Sequence, residues 1–172
     1  MNGTNKKVRM ITFSGLFAAV IFVVTLIHVP TGNGYTHAGD GVIYLAASLL
    51  PMPYAIAASA LGGLLADGLS GAAIWIPATI VVKMITAAFF TSKKDKIISL
   101  RNILAIIPSL AVCIAGYSLY EAQFILGGIS ASTLTAAFLE FPAYIVQVAA
   151  STALYIIVGL FLDKIKFKKY FE

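Results

Sequence analysis

Charge and cysteine are both scarce in this sequence, and each shortage excludes a class of protein. Only 11% of the 172 residues are charged, whereas an ordinary soluble domain carries roughly a quarter. Hydrophobic residues make up 60% and the mean hydropathy is +0.94, so we do not expect the chain to dissolve in water. The single cysteine, Cys113, excludes an intramolecular disulfide, and with only two histidines we expect no metal site.

The hydrophobic residues also lack the alternation with polar residues that strands of a membrane barrel show. They come in blocks of about 17–25 residues, the length that a helix needs to cross the roughly 30 Å hydrocarbon layer. The sequence therefore predicts an all-α integral membrane protein, a compact bundle of six transmembrane helices that forms one domain over residues 1–172. The predicted helices cover residues 10–29, 37–50, 54–69, 73–91, 102–126 and 132–162. A glycine-rich loop follows the first helix, and a break near Pro142 is an alternative for the last.

Basic residues are concentrated in three short segments. Eleven of the twelve lie within residues 6–9, 93–101 and 164–169. Lysine and arginine beside membrane spans mark the cytoplasmic side, where anionic lipids attract them. We therefore expect both termini in the cytoplasm and the chain in the cytoplasmic membrane of a bacterial cell. The same clustering beside the predicted spans favours the lipid bilayer over nucleic acid as the partner of these basic residues, despite a pI near 9.4.

Ionisable side chains inside the predicted helices indicate a binding site, because a charge at a helix centre costs at least about 2.5 kcal/mol. Four carboxyl groups lie near the predicted outer ends of their helices: Asp40, Asp67, Glu121 and Glu140. Lys83 and Gln147 lie deeper. We expect an outward-open cavity with these two at its floor. Helix 1 offers it no polar side chain, and the inner halves of helices 1, 3 and 5 are too apolar to continue it as a channel.

The spacing of polar and aromatic residues supports this cavity. Trp75, Thr79 and Lys83 follow one another at four-residue steps and so share one helix face. Aromatic rings with an ammonium, carboxylates and an amide suit a planar polar heterocycle. The predicted ligand-contacting residues are Tyr35, His37, Asp40, Asp67, Trp75, Thr79, Lys83, Tyr117, Glu121, Tyr144 and Gln147.

Three alternatives for these residues remain open at the level of sequence. Lys83 and Asp67 would neutralise each other as a purely structural ion pair. His37 and Asp40, three residues apart, would form a hydrogen bond at a helix start. Trp75, Tyr35 and Tyr144 would belong to the aromatic belt at the membrane surface.

Small residues on helix 1 suggest a contact surface. Ser14-Gly15 and Ala18-Ala19 lie four residues apart, and such faces let helices approach closely in lipid. This face either meets another protein or packs within the bundle.

Taken together, these features resemble the substrate-binding S components of energy-coupling factor (ECF) transporters, which are small six-helix proteins that capture vitamins. The resemblance covers essentially the whole chain. It is carried by the basic start with Thr12-Phe-Ser-Gly-Leu-Phe-Ala-Ala19, by Gly34-Tyr-Thr-His-Ala-Gly-Asp40, by Gly62-Gly-Leu-Leu-Ala-Asp67 with Gly71, by Trp75-Ile-Pro-Ala-Thr79 with Lys83, and by Pro142 with Gln147.

The resemblance implies a substrate-capture subunit of an ABC importer rather than an enzyme. It implies a vitamin-like ligand, a transmembrane coupling subunit on the small-residue face of helix 1, and two cytoplasmic ATPases. The segment from Gly34 to Asp40 looks most like members assigned to pyridoxine or hydroxymethylpyrimidine-type compounds, or like related orphan members. The chain has no Walker motif, so we expect no cofactor of its own and ATP use only by the partners. The alternative is a small secondary transporter that works alone.

Overall fold

A computed structural model describes residues 3–31 and 34–171 of the chain. Their α-helices are α1 (Gly3–Leu26), α2 (Gly39–Leu49), α3 (Met52–Leu69), α4 (Ile76–Phe89), α5 (Leu100–Leu104), α6 (Ile106–Tyr120), α7 (Ala131–Phe138) and α8 (Phe141–Lys164). Two strands, β1 (His28–Thr31) and β2 (Gly34–His37), lie between α1 and α2. Short 3₁₀ turns cover Ala73–Trp75 and Phe167–Phe171, and a π-helical turn covers Glu121–Ile125.

Four helical segments within this described part are long and apolar enough to cross a membrane. They are Asn5–Leu26, Met52–Leu69, Leu100–Ile125 and Ala131–Lys164. Two further apolar helices, Gly39–Leu49 and Ala73–Phe89, are shorter. The structure is thus that of an all-α membrane protein in outline, while six complete crossings stay a prediction.

Proline determines where several helices begin. Pro53, Pro77 and Pro142 each occupy the first turn of α3, α4 and α8, where a missing backbone N–H costs nothing and the fixed φ already suits a helix. The segment predicted as one helix over 132–162 is divided ahead of Pro142, at Leu139 and Glu140. A cavity-facing bend between α7 and α8 results.

The segment between α1 and α2 differs from the predicted loop. It is an antiparallel hairpin in which His28 pairs with His37 and Thr31 with Gly34. Gly32 and Asn33, the centre of the predicted glycine-rich loop, lie outside the described residues. Val29, Thr31, Tyr35 and Thr36 are β-branched or aromatic residues that favour strands, and this preference outweighs Pro30 at the edge.

Helix α2 forms the centre of the bundle. All eleven of its residues are buried, and it contacts α1, α3, α4 and α8. A side chain at Gly41 would come within 2.4 Å of the Ser151 carbonyl oxygen. The glycine at this position therefore lets α2 and α8 approach each other more closely than a residue with a side chain would. This central position carries Asp40, in the first turn of α2, into the interior of the molecule.

The two ends of the bundle differ in chemistry. One end carries the hairpin, and we call it the hairpin end. The other, which we call the basic end, collects the start of α1, residues 90–101 and the C-terminal 3₁₀ turn, as shown by the contact of Phe13 with Phe171 at 4.5 Å between ring centroids. Eleven of the twelve basic residues lie in these segments, at the end of α8 or between α8 and the 3₁₀ turn.

A buried polar network closes the basic end. The side-chain amide of Asn102 donates to Ser48 Oγ, and to the carbonyls of Thr91 and Ile97. Asp163 at the end of α8 accepts from the backbone N–H groups of Ile97 and Ile98, at 2.8 and 3.0 Å. These bonds hold the segment after α4 across this end, above the packed rings of Tyr44, Phe90 and Tyr155.

Candidate ligand-binding site

A cavity lies at the hairpin end of the bundle, with about 600 Å³ of empty space when measured to its open mouth. Its lining residues are Ile21, Thr25, Thr31, Gly34, Tyr35, His37, Gly63, Asp67, Trp75, Thr79, Lys83, Tyr117, Glu121, Glu140, Tyr144 and Gln147. They come from α1, the hairpin, α3, α4, α6, α8 and the turns beside them, so the whole bundle builds one site.

The floor of the cavity is a buried ion pair between α4 and α2. Lys83 Nζ lies 2.6 Å from Asp40 Oδ1, and the two side chains are only 3% and 4% exposed. Gln147 of α8 donates to the second oxygen, Asp40 Oδ2, at 2.9 Å. Because both carboxylate oxygens are bonded, the pair meets the condition under which a buried charge is tolerated. The floor is therefore fixed in position and carries no net charge.

Aromatic rings form the walls above this floor. Tyr117 and Tyr144 stack at 5.9 Å between centroids with planes 17° apart, and Trp75 meets Tyr117 edge-on at 5.9 Å. The hydroxyls of Thr79 and Tyr117 lie 3.1 Å apart, and Lys83 Nζ lies 5.5 Å from the Tyr117 ring centroid. These contacts hold the rings in place and present flat apolar surfaces next to hydrogen-bonding groups.

The hairpin forms the roof. The hydroxyl of Tyr35 donates to Asp67 Oδ1 at the end of α3, and Thr36 Oγ1 donates to the Ala143 carbonyl of α8 at 3.2 Å. Burial, with the neighbouring Asp67 carboxyl, raises the pKa of Tyr35, so this hydroxyl stays protonated and continues to donate. These two bonds tie the roof to opposite sides of the cavity.

His37 joins the roof to the floor as a neutral side chain. Its Nδ1 accepts from the backbone N–H of Gly39 at 3.0 Å, which helps to start α2. Burial and the nearby Lys83 ammonium lower the pKa of His37 to about 3. The imidazole is thus uncharged at neutral pH.

The lining carries an excess of carboxyl groups. Asp67, Glu121 and Glu140 face the cavity in addition to Asp40 beneath it, while Lys83 is the one ammonium among the lining residues. The lining residues therefore carry three carboxyl groups against one ammonium, an excess of formal negative charge. Such a lining suits a ligand that donates hydrogen bonds and disfavours an anion.

Comparison with known families identifies the chain. The family model described as ECF-type riboflavin transporter, S component, matches residues 5–166. The chain belongs to the ECF S-component family. It is accordingly a multi-pass membrane protein and a vitamin-type substrate-binding subunit of an ECF transporter, and S components are transporter subunits rather than enzymes. Neither a curated protein nor a solved structure gives a significant match.

The structure brings most of the predicted site residues of this S component together. Ten of the eleven line the cavity, and the eleventh, Asp40, lies directly beneath it in contact with Lys83 and Gln147. Their role in binding a ligand stays a prediction. Trp75 is 8% exposed and packed against Tyr117 and Tyr120, so the alternative that placed it in a surface aromatic belt is wrong.

Two alternative pairings considered from the sequence are also wrong. Lys83 pairs with Asp40 rather than Asp67, because α2 occupies the centre of the bundle and places Asp40 next to α4. Asp40 uses both oxygens for Lys83 and Gln147, so His37 bonds to the Gly39 N–H instead.

Helix α1 contributes to the cavity, contrary to the expectation that it offers no polar side chain. Thr25 and Ile21 of α1 line the wall. A single threonine in an apolar helix gives no sequence signal. Glu140 also lines the cavity; it was noted among the ionisable residues but was not among the predicted ligand-contacting residues. Gly63 was also missed. A side chain there would come within 2.8 Å of Thr79 Cγ2, so this glycine lets α3 approach α4 at the cavity wall.

The small-residue face of α1 is divided between two environments. Ser14 and Ala18 are buried against α3, and Ser14 Oγ donates to the Tyr54 carbonyl at 2.8 Å. Gly15 and Ala19 are exposed, beside the exposed apolar side chains of Ile11, Leu16 and Val23. Ser14 and Ala18 therefore follow the alternative of packing within the bundle, while contact of this face with another protein stays a prediction.

Proposed function

We propose that this S component captures a flat, uncharged heterocyclic vitamin in the cavity at the hairpin end. The observation that carries the proposal is the arrangement of the cavity itself. Stacked aromatic walls lie above a fixed polar floor, under a hairpin that reaches across the opening. Apolar surfaces with a few fixed polar groups are the usual construction of a small-molecule site.

The charge distribution supports capture from outside the cell. The basic segments lie at the end opposite the cavity, and positive residues favour the cytoplasmic side of a membrane. With both termini in the cytoplasm of a bacterial cell, the cavity opens outward. The network around Asn102 and Asp163 fills the inner end, which supports delivery through a partner rather than through a channel in this chain.

The excess of carboxyl groups supports the unphosphorylated form of a vitamin as ligand. A phosphate ester would place its charge near Asp67, Glu121 and Glu140, with Lys83 already committed to Asp40. A neutral ligand with hydroxyl, amino or imide donors avoids this repulsion. The free vitamin is therefore expected to bind more tightly than its phosphate.

Two kinds of ligand have specific support. Riboflavin is supported by the name of the matching family. Pyridoxine and hydroxymethylpyrimidine are supported by the segment Gly34 to Asp40, which resembles members assigned to those compounds and supplies Tyr35 and His37 to the cavity. Both belong to the same class of flat heterocycle.

The exposed part of the α1 face supports docking of the transmembrane coupling subunit. Gly15 and Ala19 offer little side chain between larger apolar neighbours, so a partner helix can approach closely in lipid. Two cytoplasmic ATPases then supply ATP hydrolysis. Replacing Gly15 by Leu is expected to abolish uptake with the complete transporter and to leave ligand binding intact.

A thermal-shift screen of the detergent-purified chain tests the proposal. A ligand that binds only the folded protein stabilises it by up to about 2.7 kcal/mol at a hundredfold excess over Kd. Riboflavin, pyridoxine and hydroxymethylpyrimidine are compared with their phosphates. Thr79→Val, inside the cavity, is expected to reduce the shift, and the same substitution at exposed Thr12 is the matched control.

The stand-alone secondary transporter is the competing function. Reconstituted into liposomes without partners, this S component is expected to bind its ligand and to accumulate none. Uptake by the chain alone would overturn the assignment of transport to the complete ECF complex.

A further inference from the structure

Three lysines surround a second cavity, which lies at the basic end and takes no part in the proposed ligand capture. It has about 440 Å³ of empty space when measured to its open mouth. Its lining residues are Leu49, Pro51, Ser92, Lys93, Lys94, Asp95, Lys168 and Phe171. It thus lies between the α2–α3 connection, the segment after α4 and the C-terminal 3₁₀ turn.

One of the three lysines, Lys168, is held in place by the fold. Lys168 is only 8% exposed, and its ammonium donates to the carbonyl oxygen of Lys94. The turn that carries Lys168 is anchored by Phe171, whose ring packs on Phe13 of α1 at 4.5 Å between centroids. Asp95 is the one acidic side chain in the lining, so the formal charge of the cavity is positive.

A further cation lies one helical turn from Phe13, the residue that packs on Phe171 of the cavity lining. Arg9 precedes Phe13 by one turn of α1 and lies on the same side of the helix. Its Nε and Nη2 are buried and have no hydrogen-bond partner among the described residues. Unused donors on a buried guanidinium are costly, and an anion with several acceptor oxygens would satisfy them.

We propose that this cavity binds a phosphate group, carried by the headgroup of an anionic phospholipid of the inner leaflet. Lysine ammonium groups and an arginine guanidinium are the usual donors to phosphate oxygens. Leu49, Pro51 and Phe171 add apolar contacts beside the lysines, which suit a lipid better than free phosphate. Basic pockets at the cytoplasmic ends of membrane helices are suited to such headgroups.

Native mass spectrometry of the full chain in detergent tests this site. The protein is titrated with phosphatidylglycerol, with zwitterionic phosphatidylcholine, and with inorganic phosphate. The test variant K93Q/K94Q removes two charges from the cavity. The control K96Q/K164Q removes two exposed charges from the same end without changing the lining. Melting temperatures of both variants establish that they are folded.

The expected result is one retained phosphatidylglycerol per chain, with about tenfold or greater loss of affinity in K93Q/K94Q and little change in the control. Retention of phosphate but not of the lipid, lost in the same variant, would overturn the lipid as occupant and assign the site to a free phosphate. Equal losses in the two variants, or equal retention of phosphatidylcholine, would overturn the site, because general attraction to the basic end would then explain the binding. Arg9→Gln, outside the lining, is expected to weaken phosphatidylglycerol binding as well.

Discussion

Removing the positive charge at the cavity floor is expected to destabilise the protein severely. In Lys83→Met the carboxylate of Asp40 stays buried next to Gln147, without the ammonium that now lies 2.6 Å from it. Both side chains are almost fully buried, so solvent screens the remaining charge only weakly. Removing one member of such a buried pair lowers the unfolding free energy by about 3–5 kcal/mol. That cost is a large fraction of the 5–15 kcal/mol by which domains are typically stable.

A double-mutant cycle separates the pair from its surroundings. Asp40→Asn alone leaves the Lys83 ammonium unmatched, and the expected cost is again about 3–5 kcal/mol. The double variant K83M/D40N contains neither charge, and Gln147 still has an acceptor at position 40. It is therefore expected to be more stable than either single variant, with a coupling free energy of at least about 2 kcal/mol.

Unfolding by denaturing detergent, followed by circular dichroism, measures all four proteins without added ligand. Lys96→Met, which removes an exposed lysine at the basic end, is the matched control and is expected to change stability by less than about 0.5 kcal/mol. If the losses in the two single variants simply add in the double variant, the two charges do not depend on each other and this account of the floor is refuted.

Three further outcomes follow from the roof and the basic end. Tyr35→Phe removes the hydrogen bond to Asp67 and is expected to speed ligand dissociation about fivefold in stopped-flow traces. Tyr170→Phe, at an exposed position, is the control and is expected to have no effect. Equal dissociation rates in the two variants would argue against a hairpin held by this bond. In the folded protein His37 takes up a proton only near pH 3, whereas in the unfolded chain it does so below about pH 6.5. The unfolding free energy is therefore expected to fall by about 2 kcal/mol between pH 7 and pH 5. When unfolding is measured across this pH range, His37→Gln should lack this part of the decrease. Asn102→Ala is expected to lower the unfolding free energy by about 2 kcal/mol without changing ligand affinity, and a selective loss of binding would contradict its structural role.

The helices and the general place of the site could be predicted because lipid imposes strict conditions on sequence. Hydrophobic blocks of the right length indicate helices, and ionisable residues inside them must meet partners. Asp67, Lys83 and Glu121 were noticeable for that reason, and they line the cavity together.

The partners across helices were not predictable from spacing. Four-residue steps identify residues that share a helix face, but they do not tell which neighbouring helix that face meets. Asp40 pairs with Lys83 because α2 is central and wholly buried, a feature that its short length did not reveal. Thr25 gave no signal at all, and the hairpin was hidden because Pro30 and the nearby glycines favour a loop.

The most direct test of ligand capture uses the single tryptophan of the chain. Trp75 lies in the cavity wall, so its fluorescence reports occupancy of the site without a label. Titration of the purified chain with riboflavin, pyridoxine and hydroxymethylpyrimidine, in the absence of ATP and partners, should show saturable quenching by one of them at one ligand per chain. The quenching should weaken in Thr79→Val and persist in Thr12→Val. Unchanged fluorescence with every ligand, from a sample shown to be folded, would contradict the proposal that this cavity captures a flat heterocyclic vitamin.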